Sequence, residues 1–352
     1  MSGDSIKELS VPSELGVIAD LAPVDGQDRP VWLVLGEDGQ ISRWDLETGE
    51  HTPVGITTVP LEPDHDPWDG HELRRHLHAS SDGSFAAVVN DFGRCGEVLD
   101  LRTGELTLTL DNESDDLETV PFSLAFARHR GRDVVIHRAD WNRLDVSDPA
   151  TGRLLTDRAS PVQTETEHSP EHYLDYFHGA LRVSPDGRQV VDDGWVWQPA
   201  GFPTVWSLER WIEDNVWESE DGPTRIELCD RGYYWNRSVV WIDSVRVALE
   251  GLGDDDANNM LPGARIFDTS RRTQLPGWKA ETALELPAVD GPAGRFFSDG
   301  VSLFSSAETG LSKWDLEKGS LIEEWEGFSP THHHRGAGQF LQLADGLVRL
   351  WP

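Results

Sequence analysis

The chain is poor in the residues and patterns that announce a chemistry. Cysteine occurs twice in 352 residues, at Cys95 and Cys229, too few for a disulfide framework and without a Cys-x-x-Cys spacing. There is no Gly-x-Gly-x-x-Gly, no Gly-Lys-Ser/Thr phosphate loop, no Gly-x-Ser-x-Gly and no His-Glu-x-x-His. Their absence removes the common signatures of nucleotide enzymes, α/β-hydrolases and zinc hydrolases. No apolar run approaches the ~18 residues a membrane span needs. The opening Met-Ser-Gly-Asp-Ser-Ile-Lys-Glu-Leu carries neither a basic region nor an apolar core of a secretory signal. With so few cysteines, the expected location is a reducing cytoplasm.

Positive charge is the other scarcity. Lysine and arginine number 30 against 63 aspartates and glutamates, a formal net charge of −33. A field of that sign repels phosphate backbones and anionic lipid surfaces, so neither nucleic acid nor membrane is an expected partner. It suits high solubility, or a partner carrying a basic segment. What the chain has in excess is tryptophan, with 15 copies beside only two methionines. Rigid aromatic packing repeated at equivalent places would use them.

The repetition is visible. Gly39 to Gly49 reads Gly-Gln-Ile-Ser-Arg-Trp-Asp-Leu-Glu-Thr-Gly, and Gly310 to Gly319 reads Gly-Leu-Ser-Lys-Trp-Asp-Leu-Glu-Lys-Gly. Aligning on the large residue that ends such a strand gives Trp44, Leu99, Leu144, Trp206, Phe267, Trp314 and Trp351. These stand roughly 40 to 60 residues apart, near the ~40–45 of a four-stranded propeller blade with insertions. Five are followed by aspartate: Asp45, Asp100, Asp145, Asp268 and Asp315. Upstream lie Ser80-Ser-Asp-Gly83, Ser184-Pro-Asp-Gly187 and Ser298-Asp-Gly300, tight-turn signals between strands.

Trp-Asp-Leu-Glu-Thr-Gly after a strand, with Ser-Pro-Asp-Gly some way before such a motif, resembles the WD-repeat β-propeller family, of which this would be a divergent member. The resemblance covers nearly the whole chain and implies an all-β fold, a single domain over residues 1–352. It implies seven four-stranded antiparallel blades, with an N-terminal strand in Ser5 to Val11 completing the last blade, which stops at Trp351. The family's Gly-His dipeptide is largely missing, so its usual His–Asp network is not carried over. The resemblance also implies, by fold analogy alone, a non-catalytic scaffold for another protein.

Two insertions break the rhythm. Residues 207–224 open with a helical spacing of Trp206, Leu208, Trp211, Ile212 and Val216, with Ser207 as N-cap, so a short helix is expected in blade four. Residues 251–263 form an acidic loop in blade five. Loops before first strands and between second and third strands share one face, the top in this family, and are richly furnished here. Candidate binding residues on it are Asp64, His65, Asp66, Trp68, Asp69, His71, His168, His172, Asp254, Asp255 and Asp256. Long surface loops are polar in any case, yet functional residues favour loops over rigid scaffolds.

The histidines offer an alternative reading. His332, His334, His76, His78 and His178 fall on first strands, which line a propeller's central channel, and alternation turns His332 and His334 to one side and His333 to the other. Neutral imidazole suits divalent metals, so a metal- or small-ligand-binding channel, even an enzymatic one, is the second expectation. Against it, no zinc-motif spacing occurs, and imidazoles on a polar wall commonly bond backbone and water. The first expectation is therefore a scaffold without cofactor. Among the tryptophans, Trp195, Trp197, Trp235 and Trp241 read as core, and Trp68 and Trp141 as the exposed ones.

Overall fold

The computed structural model describes residues 6–26, 29–60, 74–111, 119–161, 170–197, 199–253, 260–274, 281–344 and 346–351. The protein is all-β, built from antiparallel meanders with almost no helix. β1 (Lys7–Ser10) stands apart from its neighbours in sequence. The first meander is β2 (Ile18–Val24), β3 (Val31–Gly36), β4 (Gln40–Asp45) and β5 (His51–Ile56). The second is β6 (Arg74–Ala79), β7 (Phe85–Asp91), β8 (Cys95–Asp100) and β9 (Glu105–Asp111). The third has β10 (Leu124–His129), β11 (Arg132–Asp140) and β12 (Arg143–Ser147).

The next two meanders share one sheet. β13 (Phe177–Val183), β14 (Gln189–Val196), β15 (Ala200–Gly201), β16 (Thr204–Ser207), β17 (Ile226–Glu227) and β18 (Arg231–Gly232) make the fourth. β19 (Val239–Trp241), β20 (Arg246–Leu252), β21 (Leu261–Thr273) and β22 (Thr282–Asp290) make the fifth. One parallel bridge, Glu227 to Thr282, joins them. The sixth is β23 (Arg295–Ser298), β24 (Leu303–Ala307), β25 (Gly310–Asp315) and β26 (Ser320–Glu326). Last come β27 (His332–His334), β28 (Gln339–Ala344) and β29 (Leu347–Trp351), with β1 paired antiparallel on β29 from Lys7↔Leu350 to Ser10↔Leu347.

The turn after each third strand explains the repeated motif. Asp45 Oδ1 accepts from the backbone N–H groups of Glu47 and Thr48, and Asp315 Oδ1 from those of Glu317 and Lys318. A carboxylate there fixes the turn locally, and Gly49 and Gly319 close it at φ 75° and 62°, where a side chain would be strained. The aspartate is thus a turn cap. In the third meander the cap is Asp148, which accepts from Ala150 N–H at 2.9 Å, with Gly152 closing the turn. Alignment on Leu144–Asp145 is therefore three residues early. Asp145 is instead buried and paired with Arg143 and Arg158.

The large residues before the caps do the packing between sheets. Trp44 lies with Leu341, Val348 and Leu350 of the last sheet, Trp206 with Ala125 and Val134 of the third, and Trp314 against Ile242 and Ala248 of the fifth. Each meets the meander before it, and Trp44 the last one. Burying such a side chain contributes roughly 2–3 kcal/mol, so the motif stabilises twice, at the turn and at the interface.

The helical insertion is present in two pieces, α1 (Leu208–Glu213) and α2 (Glu218–Asp221). Ser207 caps α1 by accepting from Arg210 N–H, as its sequence position requires. The pieces cover the third sheet, which has three strands and only a Ser147–Leu154 bridge in place of a fourth. Arg158 donates to Leu144 O at 2.9 Å beside β12 and pairs with both Asp145 and Glu220 of α2.

Strand β1 covers the outer edge of β29, and an uncovered edge is a template for self-association. Deleting residues 1–11 is expected to lower the melting temperature by about 5 °C and to produce oligomers in size-exclusion chromatography. An unchanged, monomeric melt would show that the pairing contributes nothing.

Candidate functional site

The first strands adjoin in chain order: β27 contacts β2, β2 contacts β6, β6 contacts β10, β10 contacts β13, β13 contacts β19, and β19 contacts β23. Arg295 of β23 donates to Thr331 O beside β27 at 2.6 Å. Sheets that meet this way share no ladder, so the backbone N–H groups at their margins need side-chain partners. Asp20 of β2 accepts from Leu77 N–H of the second sheet at 2.8 Å.

The same device recurs at the ends of second strands. Asp91 accepts from Phe122 N–H at 3.3 Å, Asp193 from Arg237 N–H at 3.1 Å, and Glu250 from Gly294 N–H at 2.7 Å. In each case an acid of one meander holds the entry to the next. Sequence reading did not single out these acids. The signal was there: Val88-Val89-Asn90-Asp91 and Val190-Val191-Asp192-Asp193 are copies of one phrase.

Around these carboxylates the histidines gather in pairs. His332 Nε2 lies 2.8 Å from Asp20 Oδ1, and His76 Nδ1 lies 2.9 Å from Asp91 Oδ2 while its Nε2 is 3.8 Å from Asp20. A carboxylate can only accept, so the ring nitrogens donate. Burial disfavours charge on His76, but Asp91 and Asp20 outweigh it and raise its pKa above the usual histidine range. Burial likewise opposes ionisation of Asp20, yet His76 and His332 hold its carboxyl well below the ordinary range. His78, its ring 4.3 Å from that of His76, is pushed down to about 3 by burial and by that neighbour.

The other histidines are engaged separately. His178 Nδ1 meets Asp192 Oδ2 at 2.6 Å, fully buried. His334 donates to Val24 O at 3.0 Å and, like His332, stands edge-on to Trp32, while His333 turns away and stacks on Phe340. The expected alternation therefore holds. Only His76, His78 and His332 of the channel candidates come together, about Asp20 and Asp91. Among the described residues no three His, Cys, Asp or Glu side chains form a metal-ligand group.

In an antiparallel meander the entry to a first strand lies beside the exit of the second, as Arg74↔Asp91 shows. At that end of the third and fourth meanders an aromatic stack has formed. Trp141 packs on Phe177 at 4.6 Å, Phe177 stacks on Trp195 at 4.3 Å, and Trp195 on Trp235 at 4.7 Å. Trp235 Nε1 and Asn236 Nδ2 both donate to Thr119 O, and Trp195 Nε1 donates to its hydroxyl. Tyr233 and Asn236 take φ of 50° and 59°, a left-handed conformation that non-glycine residues adopt at a cost. The stack surfaces at Trp197, whose ring lies 5.9 Å from that of Trp195 and which is 65% exposed; Tyr233, two residues before Trp235, is also 65% exposed, and Leu261 at the start of β21 is 63% exposed. Trp197 is thus not core, and Trp141 is half-buried rather than exposed.

Asp64, His65, Asp66, Trp68, Asp69, His71, His168, Asp254, Asp255 and Asp256 lie outside the described residues. His172 is described, and it leaves the loop end for the insertion: its ring stacks on Trp217 at 4.4 Å and its Nδ1 meets Asp221 at 2.9 Å.

No family model matches the sequence, and comparison with curated proteins gives no match. The fold does have counterparts among solved structures. The chain is similar to one in a crystal structure of a mitotic checkpoint complex, at 13% identity and a TM-score of 0.56, with 98% of this chain and 90% of that chain covered. The likeness shows a WD40-like β-propeller fold. Since 1156 chains of solved structures match, the fold alone selects no function.

A histidine whose folded pKa is raised adds stability that is full below its unfolded value, about 6.5, and is lost as pH rises through the folded value. His76→Asn should therefore lower the melting temperature more at pH 5.5 than at pH 8.5; an equal loss at both would refute the coupling to Asp91 and Asp20. Asp91→Ala orphans Phe122 N–H and His76 together, with an expected loss of about 3 kcal/mol in urea unfolding.

Proposed function

We propose that the chain is a non-catalytic protein-interaction scaffold: one propeller domain over residues 1–352, with seven blades and β1 completing the seventh, that binds a partner on its top face. The cyclic order of first-strand contacts and the Arg295–Thr331 bond support the blade count, and the β1–β29 pairing supports the completion.

The observation that carries the reading is the aromatic stack that surfaces at Trp197, with Tyr233 and Leu261 exposed at the same end of the sheets. Large rigid aromatics on a braced loop are what a binding hot spot needs, because little side-chain entropy is lost on contact. The stack is anchored to Thr119 from three sides, so the ledge is built rather than incidental. A net charge of −33 favours a partner whose contacting segment is basic. The acids and histidines read from the sequence as top-face candidates, Asp64, His65, Asp66, Asp69, His71, His168 and Asp254 to Asp256, with Trp68, lie outside the described residues and remain candidates for the same partner. The mitotic checkpoint complex is, by its name, an assembly; that likeness is of fold and lends the scaffold reading an analogy only.

The test uses affinity capture with quantified binding. A partner held by the full chain should bind about tenfold or more weakly to Trp197→Ala/Tyr233→Ala, and more weakly again when Asp64, Asp66 and Asp69 become lysine. Both side chains are exposed, so the melting temperature should hardly move. Undiminished capture by both variants would sink the top-face assignment.

A further inference from the structure

Three arginines stand on first strands of alternate meanders: Arg74 at the start of β6, Arg182 on β13 and Arg295 at the start of β23. All three are open to water, although protein around Arg182 and Arg295 opposes their charge. In a chain with 63 acidic residues, neither Arg182 nor Arg295 makes an ion pair with any described residue. Arg182 Nη1 donates to its own neighbour, Leu181 O, at 2.8 Å, and Arg295 Nη1 to Thr331 O at 2.6 Å. Arg74 has a loose contact, 3.6 Å from Asp91.

The carboxylates beside them are already occupied. Asp20 holds His332 and Leu77 N–H, and Asp91 holds His76 and Phe122 N–H. Burial, and then the neighbouring Arg74 and Arg182, pull the Arg295 guanidinium below its usual range, against the opposing influence of Asp20 and Asp91. Burial pulls Arg182 down in the same way, against the opposing influence of Asp91 and Asp193. Like charges gathered in a confined space are unfavourable unless something neutralises them. His76, with its raised pKa, adds a further positive charge once it is protonated. His78 Nε2 is buried without a hydrogen-bond partner among the described residues.

We propose that the central channel is a binding site for a compact oxyanion of two or more charges, held by the guanidinium groups of Arg182 and Arg295 with Arg74 at the edge. Guanidinium forks match phosphate and carboxylate oxygens alike, and the two guanidinium groups have donors to spare. Asp20 and Asp91 face the same arginines but are already engaged by histidines and backbone N–H groups, so the guanidinium donors are left for an incoming anion. This inference rests on the channel wall and does not depend on the top-face reading.

Isothermal titration calorimetry of the full chain with pyrophosphate and, separately, with citrate tests it and tells the two oxygen chemistries apart. One equivalent of at least one of them should bind with a dissociation constant below about 1 mM. Binding should weaken about tenfold in Arg182→Gln and in Arg295→Gln taken singly, and stay unchanged in Arg188→Gln, whose side chain is 76% exposed and pairs with Asp186 instead. The tighter anion should also raise the melting temperature of the parent chain and not of the double variant, by linkage. Absence of binding by both anions to the parent chain would overturn the proposal. So would equal affinity in the folded single variants.

Discussion

Separate sheets packed edge to centre have no ladder between them, and the N–H groups at their inner margins must be met by something else. Here the partner is a carboxylate reaching forward: Asp20 to Leu77, Asp91 to Phe122, Asp193 to Arg237 and Glu250 to Gly294. An unmet buried amide costs roughly 1–3 kcal/mol, and an acid with one partner removed costs more. Each link therefore fixes the position of the next meander. The histidine pairs, the aromatic stack and the arginines of the inner strands are placed by that sequence of links.

The composition takes on a different meaning in this light. Part of the acidic excess is internal structure rather than surface field. Asp91, Asp145, Asp193, Glu218 and Glu220 are buried, and each is bonded. Asp145 and Glu220 share Arg158, whose guanidinium also lies over Trp217. Such groups keep the fold specific rather than the chain soluble. The proposed binding surfaces are places where the acidic background is interrupted: by aromatics at Trp197 and Tyr233, and by arginines on the first strands.

The architecture was readable because its turns are chemically strict. Asp45 with Gly49, and Asp315 with Gly319, carry a cap and a left-handed closing residue that few other residues could replace. Where a turn keeps its chemistry but changes its neighbours, the motif misleads: Asp148 with Gly152 caps the third meander, while Asp145 follows the large residue Leu144 and pairs with arginines instead. The exposure of Trp197 was not readable. Period-two alternation puts it on the face of Trp195, which is buried, but β14 ends at Val196 and the chain turns away from the sheet. The arginines were passed over for a similar reason. Single residues on separate strands leave no spacing to recognise, and only the succession of first-strand contacts relates them.

The pairing of β1 with β29 has a consequence in time. Lys7 lies opposite Leu350, so β1 is synthesised well before its partner and waits until all the intervening meanders have followed. Contacts of such long sequence separation form late, because the loop they close is long and its closure entropy must be met first. The six meanders between them are local and can form as they emerge. The last sheet cannot, and until it does, β1 and the edge of β29 are free to meet the same strands of another copy. This chain's most exposed moment is thus the interval between its first strand and its last, and conditions that lengthen that interval, such as slow translation or crowding by its own nascent copies, should favour exchange of β1 between molecules.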